Sequence, residues 1–223
     1  MEDKSRDEAF IAALTTEHFV LQAAATSTVS DAAARSSLYV FALSSFLVAI
    51  GFISQSPELL MPFVAAVVPG LFLLGIFTVV RLVDTALENN QYLAGIARIR
   101  AYYRTLTPDA AKFFSAETGR WPETTTSPSL GLGVIVAFLG TTATMIAFIN
   151  SVVAGAGVAL LVRVLAGRAG EALALVCGVV SVAVLMTTFY LFQRWRFGST
   201  PLAFQPAGES RRDDRDEPGE PRT

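Results

Sequence analysis

Apolar residues gather into four runs, 36–54, 59–80, 130–151 and 172–193, and no charged residue interrupts any of them. At 1.5 Å per residue each run reaches across the ~30 Å hydrocarbon core of a bilayer. Lipid offers a backbone amide no hydrogen-bond partner, so runs of this length predict four transmembrane helices, arranged as two successive hairpins. Apolar character continues to Val162, about 50 Å of helix and longer than the core. We expect the third span to end near Asn150-Ser151 and the Gly155/Gly157 pair, with residues 158–166 lying along the outer interface. Pro69-Gly70 in mid-span two predicts a kink.

Helical periodicity extends beyond the first hairpin. No Gly or Pro precedes Gly51, so nothing forces a break in the first fifty residues. Phe10, Leu14, Leu21, Ala24 and Thr28 recur at three-, four- and seven-residue intervals, and Ser5 with Glu8 has capping-box spacing. One helix running into span one would project ~45 Å beyond it. Residues 81–104, with Gly95 as the one weak point, carry a second stripe: Leu82, Ala86, Leu93, Ala97 and Ala101. That predicts a second rod of ~36 Å. The two stripes are expected to bury each other in a helical stalk. Thr107-Pro108-Asp109 predicts a short helix over 108–118 stopped by Gly119, followed by a Thr/Pro/Ser linker over 122–129. The expected organisation is an N-terminal helix (1–35), a transmembrane hairpin (36–80), a helical connection and linker (81–129), a second hairpin (130–193) and a disordered tail (194–223).

Equal distance from the membrane sets the stalk register. Glu17 should meet Arg98 or Arg100, Arg35 should face Asp84, and Asp31 should approach Arg81. The pairs would fix alignment more than stability.

Composition agrees with a membrane protein: 52% hydrophobic residues and 16% charged. The net charge of −2 hides a strong asymmetry. Lys4, Arg6, Arg35, Arg81, Arg98, Arg100, Arg104, Lys112, Arg120, Arg194, Arg196, Arg211, Arg212, Arg215 and Arg222 fall on one side of the predicted membrane. Only Arg163 and Arg168 fall on the other, so both termini and the long connection are expected in the cytoplasm. Trp121 and Trp195, each beside an arginine, fit interfacial anchors. The abundance of arginine over lysine points to a bacterial source with a GC-rich genome, hence to the plasma membrane. No signal peptide is visible at the charged start. The single cysteine, Cys177, sits in span four and reads as packing.

Chemistry is sparse. His18 with Glu17, Asp84 and Glu88 could be imagined as a metal site, but solvated helix faces account for all four. No nucleophile triad, phosphate loop, HExxH or CxxC pattern occurs, so neither an enzymatic activity nor a cofactor is expected. Thr141, Thr142, Thr144 and Asn150 make span three the most polar; hydrogen bonding between packed helices is favoured over a pore lining. Gly133, Ala137 and Thr141 have small-xxx-small spacing for close helix contact. The absence of intramembrane charge argues against proton-coupled transport. Arg98, Arg100 and Arg104 with Tyr102 and Tyr103 read as stalk pairing, with no nucleic acid as partner.

Three segments, Glu17-His18-Phe19-Val20-Leu21-Gln22, Arg35-Ser36-Ser37-Leu38-Tyr39 and Ile96-Ala97-Arg98-Ile99-Arg100-Ala101-Tyr102-Tyr103, give an EHFxLQ, RxSLY and RIRxYY pattern. It resembles that of uncharacterised, actinobacterial-type, multi-span integral membrane proteins over about the first 105 residues. That resemblance implies a membrane fold and no activity. The outline is also similar in architecture to two-span defence effectors, and architecture alone does not carry function. The sequence thus predicts an all-α membrane protein embedded in the lipid bilayer. Its helical stalk would associate with a second copy or another protein. The alternative is a pore or small-molecule permeability protein, gated by the stalk, with span three lining the path.

Overall fold

The computed structural model describes residues 2–114 and 140–199. Among them the chain forms four helices, each long and apolar enough to cross a membrane. They are α1 (Glu2–Ile53), α2 (Pro57–Tyr103), α3 (Thr142–Ala166) and α4 (Glu171–Ser199).

Without Gly or Pro before Gly51, α1 runs unbroken for 52 residues, about 78 Å. It starts at Glu2, so Ser5 lies inside the helix and not at its cap. At the far end Ser54 Oγ donates to the Gly51 carbonyl, and Pro57 occupies the first turn of α2, where a missing N–H costs nothing. α2 continues for 47 residues through Pro62 and Pro69. Each interior proline leaves the carbonyl four residues earlier without its helical donor, and the helix nevertheless continues through both.

The third helix departs from the sequence reading. α3 begins at Thr142 and runs continuously to Ala166, so Asn150-Ser151 and the Gly155/Gly157 pair lie inside it and are not its exit. The glycines serve packing: a Cβ on Gly155 would fall 2.7 Å from the Gly178 carbonyl oxygen of α4. Thr141 is correspondingly the N-cap, accepting from the Thr144 N–H. Helix α3 ends at Gly167, whose φ of 64° permits the turn into Gly167–Gly170 and α4. The expected helix over 108–118 is, in its described part, a five-residue 3-10 turn, Pro108–Lys112. Phe114 then folds back on Tyr103, ring centroids 5.3 Å apart. Gly119, the 122–129 linker, the apolar stretch before Gly140, Gly133, Ala137, Trp121 and most of the 194–223 tail lie outside the described residues.

Successive helices pack antiparallel: Gly95 on α2 receives Leu21 of α1, Gly157 on α3 receives Val68 of α2, and Gly155 on α3 meets Gly178 on α4. The buried core joins Tyr39 and Phe46 of α1, Leu71, Val79, Leu82, Val83 and Leu87 of α2, Ala143, Ile146 and Ala147 of α3, and Phe189 of α4.

Candidate functional site

Two features stand out from this apolar scaffold, and each rests on residues that the packing brings together. One is a polar node inside the bundle. Tyr39 is fully buried on α1, and its hydroxyl donates to Asn150 Oδ1 on α3 at 3.2 Å. Asn150 Nδ2 donates in turn to the Phe72 carbonyl of α2 at 3.2 Å. Gly75 leaves the space, since a Cβ there would overlap the Asn150 amide. An amide in this setting costs several kcal/mol if unpaired, so the two hydrogen bonds are what allow it to lie there. Nearby hydroxyls are satisfied locally: Ser151 donates to the Ala147 carbonyl and Thr78 to the Leu74 carbonyl. The node ties three helices together.

The second feature is the paired continuation of α1 and α2 beyond their apolar segments. Leu21 packs over Gly95, where a Cβ would come within 3.0 Å of it. Phe10 and Tyr102 meet edge to face at 5.4 Å, Thr15 Oγ1 lies 3.4 Å from the Tyr103 hydroxyl, and Thr28 Oγ1 donates to Asn89 Oδ1 at 3.2 Å. The contacts run along ~27 Å of α1, from Phe10 to Thr28. His18 faces the same seam. Its Nδ1 is buried without a hydrogen-bond partner, and desolvation, reinforced by the Arg100 charge, lowers its pKa below the ordinary value.

Charges ring the boundary between these two parts. Arg35 donates to Asp31 one turn earlier at 2.9 Å, and that hydrogen bond holds the Asp31 carboxyl below its usual range. Arg81 lies 3.9 Å from Asp31 and 3.3 Å from Glu88. Arg196 reaches from α4 to Asp84 at 2.5 Å. Asp31 and Arg81 are therefore brought together, whereas Arg35 and Asp84 are not: each has a nearer partner, on its own helix or on α4. Glu17 makes no ion pair with Arg98 or Arg100 within 4 Å among the described residues; Arg100 instead lies electrostatically against His18. With Asp84 and Glu88 held by arginines and His18 in the seam, these residues do not converge on a common metal position. Trp195, near the end of α4, is 65% exposed.

Sequence reading missed one further feature, an apolar cleft of about 980 Å³. It opens between α2 and α4, with Val68 and Phe72 on one wall, Gly157 and Leu161 of α3 as floor, and Val180 and Val184 opposite. Periodicity cannot reveal it, because it arises where α4 packs on α3 and reaches α2 through the Arg196–Asp84 pair. Comparison with protein families, with curated proteins and with solved structures finds no match to this chain.

Proposed function

We propose that this chain is a non-enzymatic component of the bacterial plasma membrane, with both termini in the cytoplasm. It would act by association, through the α1–α2 extension as a cytoplasmic stalk, on a second copy or another protein. The observation that carries this reading is the extension itself. Two helices leave the apolar bundle and stay zipped by Leu21 on Gly95, Phe10 on Tyr102 and Thr28 on Asn89. A packed hairpin outside the bilayer contributes nothing to crossing it, so it offers a surface to something else. The charged boundary at Asp31, Arg35, Arg81, Asp84 and Arg196 supports placing the headgroups there.

The test is photo-crosslinking in native membranes from Thr16 and Arg98, with liposome flux measured on the purified protein. Specific adducts without flux are expected. Reproducible ion or dye flux that Asn150→Leu abolishes would overturn the proposal in favour of a permeability protein.

A further inference from the structure

α1 has two sides, and only one of them is covered. Ala12, Thr16, Phe19, Ala23, Ser27 and Ser30 follow one another at three- and four-residue steps on the side turned away from α2, and all six are exposed. Continued past the charged boundary, the same line passes through Phe41 and Phe52, which are 72% and 76% exposed. No acidic or basic residue lies on this line. Asp31 and Arg35 pair beside Arg81 and His18 faces Arg100, while the nearest charge in line with this face, Glu8, stands one turn before Ala12, just beyond its amino-terminal end. On α2 the exposed side of the extension does carry charge, at Arg98 and Arg104. A helix face bathed in water normally carries charged residues along its length. An uncharged face that is small along most of its run and holds a 64% exposed Phe19 suits contact with another helix.

We propose that this face of α1 binds the same face of a second copy, the two helices running parallel about a two-fold axis along the membrane normal. The proposal rests on the stalk reading above and names its partner. Copies inserted with one orientation can only meet in parallel, so each residue near the axis meets its own counterpart. Any charge there would face a like charge, and this face has none. Ala12, Ala23, Ser27 and Ser30 are small enough for axes ~8–10 Å apart, and Phe19 meets its own counterpart across the axis, an aromatic pair at the wider end of that range. From residue 9 to residue 52 the face is ~66 Å long and ~10 Å wide, which gives about 1,300 Å² over both copies, within the range of a stable dimer.

The experiment uses the full chain in native membranes in a Cys177→Ala background. Ala23→Cys and Ser30→Cys should each form a disulfide-linked species of twice the chain mass on oxidation, whereas Leu21→Cys, which faces α2, should not. Placing a charge on the face, by Thr16→Arg in the Ala23→Cys chain, should reduce that species at least tenfold. A control pair, Leu21→Cys with Gly95→Cys, reports the intrachain seam. If the seam crosslinks but neither single cysteine gives a dimer, the second copy is not the partner and the proposal falls while the stalk reading stands. An adduct of another mass assigns the face to a different protein and also overturns it. Loss of the seam crosslink itself would remove the stalk on which the proposal rests.

Discussion

Asn150 sits where an apolar bundle has least tolerance for an amide, and its position depends on three other residues: the Tyr39 hydroxyl, the Phe72 carbonyl and the missing Cβ of Gly75. Gly75→Ala should drive the amide out of both hydrogen bonds and cost about 1–3 kcal/mol, read as a lower melting temperature in detergent. Pairing it with Asn150→Ala should recover most of that loss; a Gly75→Ala chain as stable as the parent would mean that the amide has somewhere else to go. Tyr39→Phe is milder, about 0.6 kcal/mol by the average for hydrogen bonds between membrane helices. His18 makes a different prediction because its pKa is lowered in the folded chain, by desolvation first and the Arg100 charge second. The unfolded seam then binds the proton more readily than the folded one. Stability of the seam is therefore full above the ordinary histidine value of 6.5 and is lost as pH falls below it towards the lowered value. Protection of the amides over residues 12–24, taken relative to the intrinsic exchange rate at each pH, should fall as the pH is lowered from above that ordinary value to below it, and His18→Gln should remove the difference.

Glycine means different things on different helices, and this is where reading the elements from sequence reached its limit. Uncharged runs of about twenty residues identify the four helices, and the lack of Gly or Pro before residue 51 gives the continuity of α1. The start of α3 was not legible, because its cap, Thr141, stands in the middle of an apolar run that extends from 130 to 162 and so does not read as a boundary. Gly155 looked like an exit because glycine weakens an isolated helix, whereas its use here appears only once Gly178 of α4 lies opposite. Asp84 was misassigned for a related reason: counting residues from the membrane aligns neighbouring rods, and its partner, Arg196, stands on the fourth helix. Two substitutions separate the roles of glycine. Gly178→Ala puts a Cβ 2.9 Å from the Gly155 carbonyl oxygen, a backbone atom that cannot turn aside, and should loosen α3 from α4 at a cost of about 1–3 kcal/mol. Gly70→Ala meets nothing within 4 Å and should instead stabilise α2, by up to about 1 kcal/mol. Equal melting temperatures for the two variants would contradict the packing described for α3 and α4.

At the scale of the molecule the expected orientation rests on the distribution of charge. Asp31, Arg35, Arg81, Glu88, Asp84 and Arg196 draw three helices together at one level, and the extension of α1 and α2 lies beyond that level. At the opposite end of the bundle the ion pair of described residues is Arg163 with Glu171, 3.6 Å apart. The four predicted spans assign fifteen basic residues to the first side and two to the second, and basic residues are retained in the cytoplasm during insertion. The stalk is therefore expected inside the cell, where a hairpin with an uncharged outer face would meet its own copies at the density that a shared membrane imposes. Reporter fusions after Glu123 and Pro206 should accordingly report the cytoplasm, and fusions after Ser56 and Arg168 the exterior. A cysteine at Arg98, on the exposed side of α2, in a Cys177→Ala background, should be closed to an impermeant maleimide in intact cells and open to it once the membrane is breached. Labelling of residue 98 from outside would reverse the orientation, and would place the α1 face on the external surface with whatever partner is found there.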